Sequence, residues 1–133
     1  MADQEFNVMF GEGLKVSVAA KGFVFPTDQP VTQGGGGTAP SPFDYFLASI
    51  AACAGFYALA FCRERKISTD GIKLAMQAKR GEGSRMVEKV TITVDLPPGF
   101  PERYKDAIVK AIDHCTVKAH IQHPPSFEIV TRP

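Results

Sequence analysis

The sequence lacks tryptophan, has only three cysteines among 133 residues and carries almost no excess charge. Fifteen basic and fourteen acidic side chains leave a formal net charge of +1, which gives no electrostatic reason to expect a nucleic-acid partner. The opening residues MADQEFNVMF lack the basic and apolar regions of a secretion signal. An odd number of cysteines without such a signal argues against a disulfide framework. We therefore expect a cytoplasmic protein whose cysteines are reactive thiols, metal ligands or core residues.

Composition and length favour one folded domain. Hydrophobic residues make up 44% of the chain and charged residues 22%, as in globular proteins and unlike disordered ones. A chain of 133 residues has the usual size of a single domain. We predict one domain over residues 1–133, with a hydrophobic core.

The N-terminal third alternates apolar and polar residues and then becomes rich in proline and glycine. Period-two patterning over residues 5–18 predicts a hairpin, and residues 23–25 a short third strand. Residues 26–42 contain four prolines and four glycines, which indicates a loop without an ordered element.

The remaining chain predicts two helices and three strands. Ser41 as N-cap and Pro42 at the first helical position begin a long helix that ends near Lys66. Alternation predicts a hairpin, and helical spacing then predicts an amphipathic helix with Cys115 at its end. A last strand follows near the C-terminus. The ranges are 72–79 and 87–96 for the hairpin strands, 101–115 for the second helix and 127–131 for the last strand.

The first helix contains a long uncharged run, residues 45–62. This run reaches the lower limit of length for a bilayer span. Its many small residues, and the water-exposed patterning elsewhere, favour a buried helix and no membrane association. One small chain can hardly surround such a helix, so a homodimer is the simplest way to cover it.

The three cysteines differ in their sequence surroundings. Cys53 and Cys62 are nine residues apart, which places them on opposite faces of one helix, so they cannot pair with each other. Cys62 fits a packing role. Small residues surround Cys53, and packing of both helices on one sheet could bring it to Cys115. Cys53 is about three turns into its helix, so an external group is required to stabilise its thiolate.

Other kinds of site have weaker support. Cys115 and the three histidines lie within ten residues of one another, but they match no recognised zinc spacing. The glycine run lacks the Gly-Lys-Ser/Thr ending of a phosphate loop. We therefore predict neither a metal nor a cofactor. Asp44, the only charge between Pro42 and Arg63, is either an ordinary first-turn acid or part of a site. The histidines are His114, His120 and His123.

Two segments resemble the family of osmotically inducible protein C and the organic hydroperoxide resistance proteins. These are GGGGTAPSPFDYFLASIAACAG and DHCTVKAH. The likeness covers nearly the whole chain, because the elements also follow the family's order. It implies an α+β fold in which an intertwined homodimer wraps antiparallel sheets around long central helices.

The resemblance also implies a thiol peroxidase. Cys53 would attack an organic hydroperoxide, Cys115 would form a disulfide with it, and a dithiol would reduce that disulfide. Asp44 would correspond to the helix-start acid that orients the site. Family members with this activity also resemble one another in an N-terminal arginine and in a glutamate after the helix-starting proline. Here Phe43 follows Pro42, and the first arginine is Arg63. The missing arginine favours one alternative, a dimeric binding protein for a small apolar ligand. A further alternative is a redox sensor in which Cys53 and Cys115 oxidise reversibly without turnover.

Overall fold

The computed structural model describes residues 3–133. The described chain holds five β-strands, three α-helices and two short 3-10 helices, and it divides into two compact units after Leu47.

The first unit contains a three-stranded antiparallel sheet in the order β1-β2-β3. Its strands are β1 (Asn7–Phe10), β2 (Val16–Ala20) and β3 (Phe23–Thr27). The predicted hairpin and third strand are confirmed. β3 continues two residues past its expected end at Phe25, and Pro26 pairs with Ser17. Proline is tolerated there because β3 is an edge strand, where a missing N–H leaves no ladder bond unmade.

The proline- and glycine-rich loop is ordered around one buried carboxylate, that of Asp28. Its Oδ2 accepts hydrogen bonds from the Thr38 N–H and hydroxyl, at 3.1 and 2.7 Å. A 3-10 turn, Val31–Gln33, lies inside the loop, so the prediction that it holds no ordered element is wrong. Gly35 is required there, since an added Cβ would lie 2.0 Å from the Gln29 carbonyl oxygen.

Helix α1, Pro42–Glu64, begins where the sequence predicts and ends two residues before Lys66. Ser41 and Asp44 cap it reciprocally: the Ser41 N–H donates to Asp44 Oδ2 at 2.9 Å, and the Asp44 N–H donates to Ser41 Oγ at 3.2 Å. The helix is long and apolar enough to cross a membrane, and 28% of its most apolar window is buried. The buried residues form a stripe: Ile50, Ala54, Ala58, Phe61 and Cys62.

The second unit adds a hairpin and two helices to most of α1. Strands β4 (Lys73–Arg80) and β5 (Val87–Asp95) pair antiparallel. Helix α2 is Lys105–Asp113 and α3 is Thr116–Gln122. The core joins all of the α1 stripe except Ile50 to Phe100, Ile108 and Ile112. Helices and antiparallel sheets together confirm the α+β class.

Two elements after β5 differ from the prediction. The expected helix over residues 101–115 is a 3-10 turn, Glu102–Tyr104, followed by α2, and α3 was not predicted. Residues 124–133 form no strand. The predicted strand at 127–131 is wrong for the isolated chain, where Phe127 and Ile129 are 86% and 95% exposed and pair with no strand of the described residues.

Candidate functional site

The site is built around Cys53 on α1. The residue lies in the fourth turn of the helix and is half-buried. Its chain neighbours Ala52 and Ala54 are small. Partial exposure is what a thiol needs to meet a substrate.

Cys115 occupies the junction between α2 and α3. The last turn of α2 closes with a hydrogen bond from the His114 N–H to the Ala111 carbonyl, at 3.1 Å. Cys115 then becomes the N-cap of α3, with φ −52° and ψ 123°, and its Sγ accepts from the Lys118 N–H at 3.4 Å. The side chain is buried, with 4% of the residue exposed. A sulfur in this cap is held in one orientation.

The structure brings Cys53 and Cys115 together. The Cys53 thiol interacts with the Cys115 thiol and with the backbone N–H groups of Val117 and Thr116, and these interactions act on its ionisation. Burial opposes ionisation of Cys53, but the hydrogen bonds from Val117, Cys115 and Thr116 outweigh it and lower the pKa of the Cys53 thiol. Burial, and then the hydrogen bond with Cys53, raise the pKa of Cys115. The pair therefore favours a thiolate on Cys53 and a protonated donor on Cys115.

The group that stabilises the Cys53 thiolate is the first turn of α3. The N–H groups at the start of a helix have no partner within the helix, and they carry the positive end of its dipole. Among the described residues, the groups that lower the pKa of Cys53 are uncharged, two N–H groups and a thiol. The sequence indicated that an outside group was required. It could not identify these donors, because backbone N–H groups have no side-chain signature and α3 itself was missed.

Tyr57 is a second residue that the sequence did not single out. It follows Cys53 by four residues on α1, so both lie on one face of the helix. The Tyr57 hydroxyl is 2.9 Å from the Thr116 hydroxyl. The ring of Tyr57 contacts that of Phe56 edge to face, with centroids 5.4 Å apart. The sequence signal that could have identified Tyr57 is its position four residues after Cys53 on a predicted helix.

Asp44 and Cys62 have roles in the structure that differ from those of the thiol pair. Asp44 is engaged in the cap of α1, and its predicted part in the site remains a prediction. Cys62 is fully buried in the core, as its packing role predicts. Burial raises the pKa of the Cys62 thiol, although the charge of Arg65 opposes this.

The three histidines near Cys115 occupy different positions and do not form a common cluster among the described residues. His114 ends α2 and His123 ends α3, while His120 Nδ1 lies 2.7 Å from the Thr116 carbonyl of its own helix. Within residues 3–133, no group of three or more His, Cys, Asp or Glu side chains is placed to hold a metal ion.

An open apolar pocket of about 180 Å³ lies between α1 and β4. It is small beside the roughly 300–1,000 Å³ of typical ligand sites, and so does little to favour a ligand-binding protein. Its lining residues are Gly55, Ala58, Leu59, Thr69, Ile72 and Leu74.

Comparison with known proteins gives a consistent family and fold. The sequence model of the family described as OsmC-like protein matches residues 34–130. No curated protein matches the chain. A Psychrobacter arcticus protein, named for an osmotic stress induced and detoxification response, superposes with a TM-score of 0.75 at 22% identity, over 93% of this chain and 91% of that one.

Two further solved structures share the fold. An OsmC-like protein from Mycoplasma pneumoniae superposes with a TM-score of 0.69 at 14% identity, over 92% of this chain and 89% of that one. An organic hydroperoxide resistance protein from Legionella pneumophila has a TM-score of 0.60 at 18% identity, with coverages of 92% and 90%. At these identities the likeness establishes the fold and not the activity.

Proposed function

Because this chain belongs to the OsmC-like protein family, we propose that it is a thiol-dependent peroxidase that reduces organic hydroperoxides in defence against oxidative stress. Cys53 is the peroxidatic residue and Cys115 the resolving one. The observation that carries the proposal is the hydrogen-bonded pair in which Cys53 has a lowered pKa and Cys115 a raised one. A thiolate beside a protonated thiol is the arrangement that a two-cysteine peroxidase needs.

In the first step the Cys53 thiolate attacks the terminal oxygen of a hydroperoxide. The sulfur–oxygen bond forms as the O–O bond breaks, giving a sulfenic acid on Cys53 and an alkoxide that takes a proton from water and leaves as the alcohol. Two electrons pass from the sulfur to the peroxide. The N–H groups of Thr116 and Val117 favour the thiolate before the attack.

In the second step the Cys115 sulfur attacks the sulfur of the Cys53 sulfenic acid. A disulfide forms, and the hydroxyl group leaves as water with the proton of the Cys115 thiol. A dithiol of the cell then restores both thiols by exchange. A cytoplasmic location, which the sequence predicts, would supply such reductants.

The first turn of α3 supplies the stabilisation that this chain cannot obtain from an N-terminal arginine. Lysine there would lack the planar guanidinium that binds an anion through two donors, whereas the N–H groups of Val117 and Thr116 lower the pKa of the Cys53 thiol. The missing arginine is therefore compatible with an activated thiol.

Several observations support an organic substrate. The helix α1 that carries Cys53 has no charged residue between positions 45 and 62. Apolar surface beside the thiol favours peroxides that carry an apolar group. The Legionella protein of the same fold is named for organic hydroperoxide resistance.

The proposal is tested by consumption of cumene hydroperoxide by purified protein with dithiothreitol, run beside hydrogen peroxide. We expect faster turnover of the organic peroxide, abolished in Cys53→Ser. Cys62→Ser is the matched control, because it removes a thiol of the same helix that faces the core, and it should keep the turnover. Asp44→Asn keeps an oxygen for the helix cap but removes the charge, so loss of turnover in a stable variant would support its predicted role in the site.

Full peroxide consumption by the Cys53→Ser protein would overturn the assignment. A folded wild-type protein without turnover would favour the two alternatives. Reversible formation of a Cys53–Cys115 disulfide would then indicate a redox sensor, and its absence a binding protein.

A further inference from the structure

We propose that Tyr57 is a positioning residue, which holds the first turn of α3 against Cys53 through its hydrogen bond to Thr116. The inference deepens the proposed function and rests on it for the catalytic meaning of Cys53. The effect of the Tyr57–Thr116 contact can be measured as the reactivity of the Cys53 thiol toward an alkylating reagent, without any peroxide turnover.

Thr116 connects the two residues of α1. Its hydroxyl lies 2.9 Å from the Tyr57 hydroxyl, and its backbone N–H is among the groups that lower the pKa of the Cys53 thiol. Four residues along a helix correspond to a rise of about 6 Å. The start of α3 is thus fixed to α1 at two points about one turn apart, and the second point sets the direction in which the N–H group is aimed.

Packing alone holds α3 weakly. The helix has seven residues and none of them is buried. A short helix without a buried face depends on few contacts and opens easily. The Tyr57 hydroxyl gives α3 a polar attachment to α1 at Thr116, and the Tyr57 ring also contacts Phe56 edge to face.

The same bond also acts on the resolving thiol. Thr116 directly follows Cys115 in the chain, and Cys115 caps the helix that Thr116 begins. A shift of Thr116 away from α1 would therefore withdraw an N–H donor from Cys53 and move Cys115 from its partner. Tyr57 affects both sulfurs while touching neither in the described contacts.

The test measures the rate of Cys53 alkylation by iodoacetamide from pH 5 to 9.5, with the modified residue assigned by peptide mass spectrometry. In Tyr57→Phe, which keeps the ring, the midpoint of the profile should rise by roughly 0.5 to 1 pH unit, the effect of a weakened hydrogen bond to a thiolate. Thr116→Val removes the other hydroxyl and keeps the N–H, so it should give the same rise, whereas Thr116→Ser should retain the wild-type midpoint.

Two comparisons separate this role from general stabilisation. Tyr45→Phe is the matched control, since its hydroxyl donates to the Pro26 carbonyl at 2.7 Å and its loss should leave the midpoint unchanged. The double variant Tyr57→Phe/Thr116→Val should shift the midpoint no further than either single variant, because both remove one bond.

An unchanged midpoint in both Tyr57→Phe and Thr116→Val would overturn the inference. If these proteins still consumed peroxide through Cys53, the proposed function would stand without it. A raised midpoint in a protein that lacks peroxide turnover would support the positioning role and count against the peroxidase.

Discussion

At the scale of single residues, Cys53 and Cys62 show how surroundings decide the chemistry of one residue type. Both lie on α1, nine residues apart. Cys53 lies beside the N–H groups at the start of α3, while Cys62 is enclosed by the core and is 0% exposed. The pKa is lowered at Cys53 and raised at Cys62, since donors favour a thiolate and an apolar enclosure disfavours it.

This contrast predicts selective alkylation. At pH 7.5, iodoacetamide should modify Cys53 at least about tenfold faster than Cys62. A difference of one unit between two pKa values changes the thiolate fraction by up to about tenfold, and the burial of Cys62 slows its reaction further. Peptide mass spectrometry over time measures both rates. In denaturant the two rates should become similar. Equal rates in the folded protein would contradict the assigned burial of Cys62.

Asp28 predicts a pH dependence of stability in the first unit. The hydroxyl and N–H of Thr38, with smaller contributions from the N–H groups of Gln29 and Gly36, lower its pKa to about 2 despite burial. An unfolded aspartate titrates near pH 3.9. The folded state therefore binds the proton less well, so this stabilisation is complete above about pH 4 and is lost as the pH falls from about 4 to about 2.

Substitution of Asp28 tests that account. Asp28→Asn should lower the midpoint of thermal unfolding by several degrees at pH 7, and the difference from the wild type should shrink between pH 4 and pH 2. Glu12→Gln, which removes an exposed carboxylate from a turn of the same unit, should have little effect. A difference that stays constant down to pH 2 would show that Asp28 does not act through its charge.

At the scale of elements, the sequence predicted what side chains encode and missed what the backbone supplies. The start of α1 could be predicted because Ser41 and Pro42 carry capping and first-turn preferences. Whether Cys53 on α1 meets Cys115 could not be predicted from the sequence, since spacing along a chain does not determine how two helices pack. Helix α3 was missed because Val117 and Ile121 give only a weak apolar pattern over seven residues.

The failed strand at residues 127–131 has a different physical cause. Alternation of Phe127 and Ile129 reports a preference for extended backbone, but a strand also needs an edge to pair with. None of the described strands supplies that edge to this segment, and its apolar side chains stay exposed.

A proline at the start of α3 tests the element that activates the thiol. The Cys115 backbone, with φ −52° and ψ 123°, has the extended conformation that proline requires of the residue before it, and proline suits the first helical position. Thr116→Pro should therefore keep the helix but remove its N–H from Cys53. We expect the alkylation midpoint of Cys53 to rise further than in Thr116→Val, which loses only the hydroxyl. Far-ultraviolet circular dichroism checks that helix content is retained. Equal midpoints in the two variants would exclude the Thr116 N–H as a stabilising donor.

At the scale of the whole molecule, the described chain leaves much of its apolar surface uncovered. On α1, Phe56 and Leu59 are 59% and 44% exposed, although the surrounding run carries no charge. Large exposed apolar patches mark interaction surfaces in soluble proteins. A homodimer therefore remains our prediction, and the assignment of residues 1–133 to one domain also remains a prediction.

Association is tested most directly at Phe56. Wild-type protein should sediment at twice the chain mass of 14.4 kDa. In a two-fold symmetric dimer each substitution occurs twice, and burial of a phenylalanine contributes about 1.5–3 kcal/mol, so Phe56→Glu should weaken the dimer at least roughly a hundredfold.

Met86→Glu is the control, because Met86 is 74% exposed beside the charged Arg85 in the turn between β4 and β5. Since a dimer links folding to concentration, the wild-type unfolding midpoint should also rise with protein concentration, and that of Phe56→Glu should not. A wild-type protein that sediments as a monomer at every concentration would show that the exposed face of α1 is covered by something other than a second copy.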